Sequence, residues 1–224
     1  MKTYKVTIAP VALNHKPDTD EELKEIQNAF IFSGMTYNQL IIHSAAPHSF
    51  TVAPAVFERN YREAKNWRSQ EVYYLDFDNT MSVQQVLDRF KEYDITPNFY
   101  YTTFRHTESA PRFRVVLLTD TEIFGEDNGN KIRAGLKKVF PEADPNCFTA
   151  ERMFYGGKEC FPITEEPIPF SKFEQMISLH VLDADNGKSR GLLAEDGYHI
   201  CNYNSDTRPE TLEYESYLSY LQKL

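Results

Sequence analysis

Two aspartates, Asp76 and Asp78, stand two residues apart at the end of an apolar run, residues 72–77. The β-branched and aromatic neighbours predict a buried strand, on which both carboxylates point to one face. Two like charges there repel each other and resist desolvation, unless a cation lies between them or a pKa shifts. Hard oxygen ligands of this kind suit Mg²⁺ or Mn²⁺. The alternative is that the pair ends an exposed strand and caps the next helix, and this segment alone fits both interpretations.

A second cluster of candidate residues is basic. His106, Arg112 and Arg114 lie at one end of a predicted antiparallel hairpin, whose strands are residues 98–104 and 113–118. Because Arg112 and Arg114 are two apart, they share a face of their strand. An acidic pair and a basic pair on neighbouring strands would suit a metal ion together with a triphosphate.

A third acid, Asp144, precedes Pro145, and Arg152 and Lys158 follow it along the chain. The simplest interpretation of Asp144-Pro145 is a turn, which this dipeptide favours. The simplest interpretation of Arg152 and Lys158 is ordinary surface charge. Taken alone, these three residues predict no chemistry.

The elements that must position these groups alternate between strands and helices. A strand at 4–9 precedes a helix at 21–32 that Gly34 ends, and Thr36 can cap a short helix at 37–43. Ser82, with Gln85 at the capping-box position, begins the helix after the aspartate strand. Helical spacing also marks 55–67, 130–140 and 173–182, and a short strand is predicted at 153–155. This pattern predicts an α+β domain over residues 1–182, followed by a polar linker and a C-terminal helix at 183–224.

Composition narrows the classes of function. The net charge of −9 argues against a passive nucleic-acid-binding protein, which would usually be basic, but not against an enzyme that acts on nucleotides and carries acidic metal ligands. No segment approaches the roughly 18 apolar residues of a membrane span, and the N-terminal apolar run is too short for a signal peptide. We therefore expect a cytoplasmic protein with no membrane partner. The cysteines, at 147, 160 and 201, are widely spaced, which predicts reduced thiols.

Read in order, these motifs resemble the catalytic core of the archaeo-eukaryotic primase superfamily, and most closely the primase-polymerases of plasmids, phages and other mobile elements. The resemblance covers about residues 55–160. It rests on Leu75-Asp76-Phe77-Asp78-Asn79, on Tyr101-Thr102-Thr103-Phe104-Arg105-His106-Thr107 with Pro111-Arg112-Phe113-Arg114, and on Asp144 with Arg152-Met153-Phe154-Tyr155.

The resemblance implies a role for each candidate residue. Asp76, Asp78 and Asp144 would be the catalytic acids and would hold two divalent ions, Mg²⁺ or Mn²⁺. A basic set would bind the nucleotide: His106, Arg112, Arg114, Arg152 and Lys158.

The second motif of the superfamily is Ser-x-His, but the corresponding residues here are Phe104-Arg105-His106, which lack the serine. Either His106 keeps the motif role, or Arg112 and Arg114 have taken it over. Template contact needs exposed basic or aromatic surface, for which Tyr101 and Arg105 are candidates; a buried strand tyrosine is the alternative for Tyr101.

The implied fold is an antiparallel sheet like a modified RNA-recognition motif, with an N-terminal α/β unit. The implied function is template-directed nucleotidyl transfer by a DNA primase/polymerase that replicates a mobile element. Its partners would be single-stranded DNA and nucleoside triphosphates, and the weak pattern after residue 160 leaves open a helicase region or protein as a further partner.

Two other functions remain open. Asp76-x-Asp78-x-Thr80 also fits the start of haloacid-dehalogenase-like phosphatases, with Asp76 as nucleophile, Asp78 as acid/base, and Asp183 or Asp185 as a late metal ligand. Such enzymes usually carry this motif near the N-terminus, and the basic hairpin would then have no role. The other alternative is a non-catalytic replication-initiator domain that only binds DNA or a helicase, although three intact acids argue against such decay.

Overall fold

The computed structural model describes residues 2–181, so the predicted linker and C-terminal helix at 183–224 lie outside the described residues. The strands are β1 (Thr3–Leu13), β2 (Ile31–Thr36), β3 (Ser49–Ala53), β4 (Ala55–Phe57), β5 (Trp67–Asp78), β6 (Phe99–Thr103), β7 (Arg112–Phe124) and β8 (Gly157–Pro162). The helices are α1 (Asp20–Asn28), α2 (Tyr37–Ile42), α3 (Val83–Lys91), α4 (Glu126–Val139) and α5 (Phe170–Val181). No helix in this part of the chain is long and apolar enough to cross a membrane.

Two antiparallel sheets organise the described chain. The first has the strand order β2-β1-β3, and the second has the order β4-β5-β7-β6-β8. The predicted hairpin is confirmed, because β6 and β7 pair antiparallel with Tyr101 opposite Arg114. The mixed α and β content with antiparallel sheets therefore agrees with the predicted α+β class.

Helices α3, α4 and α5 cover one face of the five-stranded sheet. Phe77 of β5 stacks on Phe113 of β7, with ring centroids 5.2 Å apart, and Phe90 of α3 packs against Phe140 at 4.6 Å. The predicted capping box of α3 is present, since Ser82 accepts from the Gln85 amide and Gln85 accepts from the Ser82 amide. Because side chains alternate along a strand, burying Phe77 in this layer turns its neighbours Asp76 and Asp78 to the opposite face.

The opposite face meets the three-stranded sheet. Val52 of β3 and Phe154 exchange two backbone hydrogen bonds, of 2.8 and 2.7 Å. An apolar cluster fills the space beside this bridge: Ala9, Leu13, Ile26, Phe30, Ala53, Ala55, Phe57 and Trp67. The aspartate face thus lies beside the segment 154–157 and the first sheet.

Three predicted elements are wrong in type or extent. Residues 55–67 are not a helix: β4 and β5 pair there, with Phe57 opposite Trp67, and two 3₁₀ turns lie between them. Arg59 and Asn60 have left-handed backbone conformations, with φ of 52° and 59°, and they reverse the chain within the segment for which the sequence predicts a helix. The apolar residues are periodic because two strands are buried, and not because one helix is.

The other two errors concern helix and strand boundaries. The helix predicted at 21–32 ends at Asn28, because Ile31 enters β2, which continues through Gly34 opposite Lys5. The strand predicted at 153–155 is only the single bridge at Phe154, and the regular strand β8 starts at Gly157.

Gly156 lies where the two sheets approach each other, and it gives a test of this arrangement. A Cβ at Gly156 would lie 2.1 Å from the Ser49 Cβ, whereas a Cβ at Gly34 would meet nothing nearer than 3.7 Å. We expect Gly156→Ala to lower the free energy of unfolding by about 1–3 kcal/mol, as overpacking does. Thermal unfolding should show a fall of several degrees for Gly156→Ala and none for the control, Gly34→Ala. Equal midpoints for the two variants would contradict the close approach.

Candidate active site

The register of β5 and β7 places both aspartates of β5 directly opposite predicted arginines of β7. Asp76 pairs with Arg114 and Asp78 pairs with Arg112 in the antiparallel ladder. The Arg114 Nε lies 3.1 Å from the Asp76 Oδ2, and the Arg112 Nη1 lies 3.5 Å from the Asp78 Oδ2. The acidic pair and the basic pair therefore share one face, on adjacent strands.

The third acid is joined to the first through the backbone. The Asp144 amide donates to the Asp76 carbonyl oxygen at 2.8 Å, which fixes the segment after α4 beside β5. The Asp144 Oδ1 accepts from the Asn146 amide at 3.0 Å, so the predicted turn is also present. The Asp144 Oδ2 lies 3.3 Å from the Arg152 Nη2. Asp144 thus serves a turn and faces the other acids at the same time.

The three acid–arginine pairs line one cleft of about 390 Å³. Strand ends, the segment 152–156 and the loop before α1 contribute its walls. The residues that line it are Lys16, Pro17, Leu23, Asp76, Asp78, Thr103, Phe104, Arg105, Arg112, Arg114, Asp144, Arg152, Met153, Tyr155 and Gly156.

Asp76 and Arg114 form the buried pair of the cleft. Arg114 also donates to the Tyr155 carbonyl oxygen and lies over the rings of Tyr101 and Phe154, at 5.7 and 5.5 Å. Burial opposes its charge, but the neighbouring Tyr101 and Asp76 outweigh burial and raise the pKa of Arg114. The Asp76 Oδ2 is therefore held by a permanent cation, while the Asp76 Oδ1 is buried without a hydrogen-bond partner in the described chain.

The donor set of the three acids fits hard divalent ions in type. A buried carboxylate oxygen without a partner costs free energy, so the Asp76 Oδ1 is suited to a ligand from outside the chain. In the conformation described for residues 2–181, however, the three carboxylates do not lie within 4.8 Å of one another as a ready-made cluster. Asp78 and Asp144 would have to leave Arg112 and Arg152. These pairs are partly exposed and long, so parting them costs about 0–1 kcal/mol each.

Within residues 2–181, a different trio has possible ligand atoms within 4.8 Å of one another: His15, Asp18 and Glu22. Glu22 is the capping-box residue of α1 and accepts from the backbone amides of Thr19 and Asp18, which lowers its pKa to about 2. The N-terminus of a helix carries partial positive charge and disfavours a cation. We therefore interpret this trio as a helix cap.

The remaining predicted phosphate ligands divide into two groups. Arg112, Arg114 and Arg152 line the cleft, whereas His106 and Lys158 are not among its lining residues. The His106 Nδ1 accepts from the Arg112 amide at 3.1 Å, and Lys158 donates to the His106 carbonyl oxygen at 2.9 Å. His106 and Lys158 thus stabilise the hairpin loop from which the strand of Arg112 begins.

The two predicted template residues differ in exposure. Tyr101 is 1% exposed and its hydroxyl donates to the Tyr155 carbonyl oxygen, so template contact by Tyr101 is corrected to the alternative, a buried strand tyrosine. Arg105 is exposed and lines the cleft, and its role as a template ligand stays a prediction.

The sequence patterns missed Lys16 and Pro17, which reach the cleft from the β1–α1 segment, and Leu23, which reaches it from α1. They are separated from the aspartate strand by about fifty residues, and no motif surrounds them, so no local signal could have identified them. Lys16 is exposed, but partial desolvation in the cleft lowers its pKa, and the charges of Arg105 and Arg114 lower it further against the attraction of Asp78 and Asp76.

No protein-family model and no curated protein matches this chain. Among solved structures, it is similar to the AEP domain of the primase-polymerase (PrimPol) of cyanophage S-2L. The TM-score is 0.45 and the sequence identity is 10%, over 79% of this chain and 89% of that domain.

Proposed function

We propose that this chain is a nucleotidyltransferase that acts as a DNA primase/polymerase, copying a single-stranded template during the replication of a mobile element, plasmid or phage. The observation that carries the proposal is the pairing of three carboxylates with three arginines in one cleft, where the Asp76 Oδ1 has no hydrogen-bond partner among residues 2–181. Carboxylates suit divalent ions and arginines suit phosphate oxygens, so the same wall offers both kinds of ligand.

The reaction is the attack of a 3′-hydroxyl oxygen on the α-phosphorus of a nucleoside triphosphate, with pyrophosphate as the leaving group. Two divalent ions, Mg²⁺ or Mn²⁺, would lower the pKa of that hydroxyl and neutralise charge on the leaving pyrophosphate. Asp76, Asp78 and Asp144 would hold these ions. Arg112 and Arg152, released from their carboxylates, would bind the triphosphate oxygens.

Arg114 has a different part in this proposal from the other two arginines. Its guanidinium is committed to the Asp76 Oδ2 and to the Tyr155 carbonyl oxygen, and its side chain is only 11% exposed. Arg114 would therefore keep Asp76 oriented, as a positioning residue, instead of moving to the phosphates. His106 and Lys158, which contact each other outside the cleft lining, would support the hairpin loop.

The phosphatase alternative requires Asp76 to attack a phosphate ester. Arg114 lies 3.1 Å from the Asp76 Oδ2 and already compensates the charge of this carboxylate, which makes Asp76 a weaker nucleophile. Asp183 and Asp185, the late metal ligands of that alternative, lie outside the described residues. We therefore do not favour it.

The test is incorporation of labelled nucleotides on a single-stranded template, with and without a primer, in the presence of Mg²⁺ or Mn²⁺. We expect products from the wild type and none from Asp76→Ala/Asp78→Ala. The lane without primer decides whether the enzyme also initiates. Tight DNA binding that is indifferent to Asp76→Ala, with no incorporation, would refute the proposal and favour the non-catalytic initiator.

A further inference from the structure

We propose that Lys16 and Arg105 form a phosphate-binding pair across the cleft, separate from the acid–arginine pairs. The proposal deepens the function proposed above and rests on it, since it assigns a further ligand for the substrate. The shared chemistry is a phosphate group, which a nucleoside triphosphate or a phosphodiester of the nucleic-acid strand could supply.

The first observation is a mismatch of charge in the cleft lining. Five cationic side chains line the cleft together with three carboxylates, so two positive charges are unmatched. Arg112, Arg114 and Arg152 are each paired with an acid. The unmatched charges belong to Lys16 and Arg105, for which the described chain offers no hydrogen bond and no ion pair within 4.0 Å.

The second observation is the origin of these two residues. Lys16 comes from the segment between β1 and α1, beside the three-stranded sheet, whereas Arg105 follows β6 of the five-stranded sheet. Desolvation lowers the Lys16 pKa most. Among the neighbouring charges, that of Arg105 lowers it most. Two like charges that the fold brings together repel each other, and an anion between them would remove that repulsion.

The third observation is that the neighbouring acids do not supply this anion. Asp76, Asp78 and Asp144 each lie within 3.5 Å of an arginine nitrogen, and among the described residues none of them forms an ion pair with Lys16 or Arg105. If the acids hold divalent ions, their negative charge becomes even less available to Lys16. The pair is therefore suited to a doubly contacted phosphate oxygen from the substrate.

The experiment compares Lys16→Ala, Lys16→Arg and Arg105→Ala with the wild type. Two probes are used: fluorescently labelled ATP and a labelled single-stranded oligothymidine. The matched control is Lys24→Ala, because Lys24 is an exposed lysine of α1 that does not line the cleft. Lys16 is exposed in a connecting segment, so its replacement should leave folding intact, which thermal unfolding verifies.

We expect Lys16→Ala and Arg105→Ala each to lower the affinity for one of the two probes about tenfold, as the loss of a charge-assisted contact does. Lys16→Arg should retain most of the affinity. If the phosphate is a phosphodiester, the slope of log Kd against log salt concentration for the oligonucleotide should also decrease by about 0.7. If the triphosphate is the ligand, the loss should be confined to ATP.

Affinities of Lys16→Ala within twofold of the wild type for both probes would overturn the inference. An equal loss from Lys24→Ala would overturn it too, because the effect would then be one of overall charge. Nucleotide incorporation by the wild type, measured in the same preparations, separates the two proposals. If the wild type incorporates nucleotides but Lys16→Ala binds both probes normally, only the proposed phosphate-binding pair is refuted. If Lys16→Ala weakens binding but the wild type incorporates no nucleotide, only the proposed polymerase activity is refuted.

Discussion

Replacing Arg114 by methionine is expected to lower the free energy of unfolding by about 3–5 kcal/mol, the cost of leaving one partner of a buried ion pair uncompensated. The Asp76 carboxylate would remain in a site that is 4% exposed, with neither oxygen bonded to a cation. The Tyr155 carbonyl oxygen would lose its donor as well. Methionine fills much of the volume of the arginine stem, so the effect is chiefly electrostatic. Urea unfolding followed by fluorescence measures it.

The matched control is Arg112→Met, which removes the equivalent partner of Asp78 in the same ladder. That pair is 34% and 51% exposed, so its loss should cost less than about 1 kcal/mol. Asp76→Asn combined with Arg114→Met should cost less than the sum of the single changes, because the double variant leaves no charge unpaired. If Arg112→Met and Arg114→Met lower the free energy of unfolding by similar amounts, the difference in burial between the two ion pairs does not determine their contribution to stability.

Asp144→Asn is expected to reduce metal-dependent incorporation about a thousandfold, while the thermal midpoint stays close to that of the wild type. The asparagine side-chain oxygen can still accept from the Asn146 amide, so the turn at Asp144 is kept. Only the negative charge is lost, and the partly exposed contact with Arg152 contributes little to stability. Incorporation rates at saturating nucleotide, together with thermal unfolding, measure the two effects separately.

This substitution separates the two interpretations of Asp144. If Asp144 only makes a turn, Asp144→Asn should behave like Asp88→Asn, a surface control on α3 whose carboxylate pairs with Lys91. Full activity in Asp144→Asn would therefore remove Asp144 from the site. The control variant should keep both its activity and its thermal midpoint.

The alternation of side chains along a strand was enough to predict the main wall of the cleft. A spacing of two residues put Asp76 beside Asp78, and Arg112 beside Arg114, on shared faces, and the described sheet contains both pairs. The register that sets Asp76 against Arg114 could not be predicted, because it depends on how two long strands align. The segment 55–67 failed for a related reason: two short buried strands and two turns can imitate helical spacing.

Contacts between residues distant along the chain lay beyond the sequence patterns. The hydrogen bond from Asp144 to the Asp76 carbonyl oxygen joins segments with no local signal in common. The same is true of Lys16, whose place in the cleft depends on how the first sheet lies against the second through Val52 and Phe154. Burial of Tyr101 was likewise a property of the folded sheet, since an aromatic residue in a strand can point to either environment.

The pairing of Asp78 with Arg112 and of Asp144 with Arg152 makes these two arginines internal counter-ions. When a divalent ion binds the carboxylate, the arginine loses its counter-charge. When a phosphate binds the arginine, the carboxylate loses its counter-charge. When the ion and the phosphate are bound together, both displaced groups regain a neighbour of opposite sign. The two ligands should therefore raise each other's affinity by the same factor, as thermodynamic linkage requires. We therefore expect the cleft to bind the divalent ion and the phosphate together more tightly than it binds either one alone.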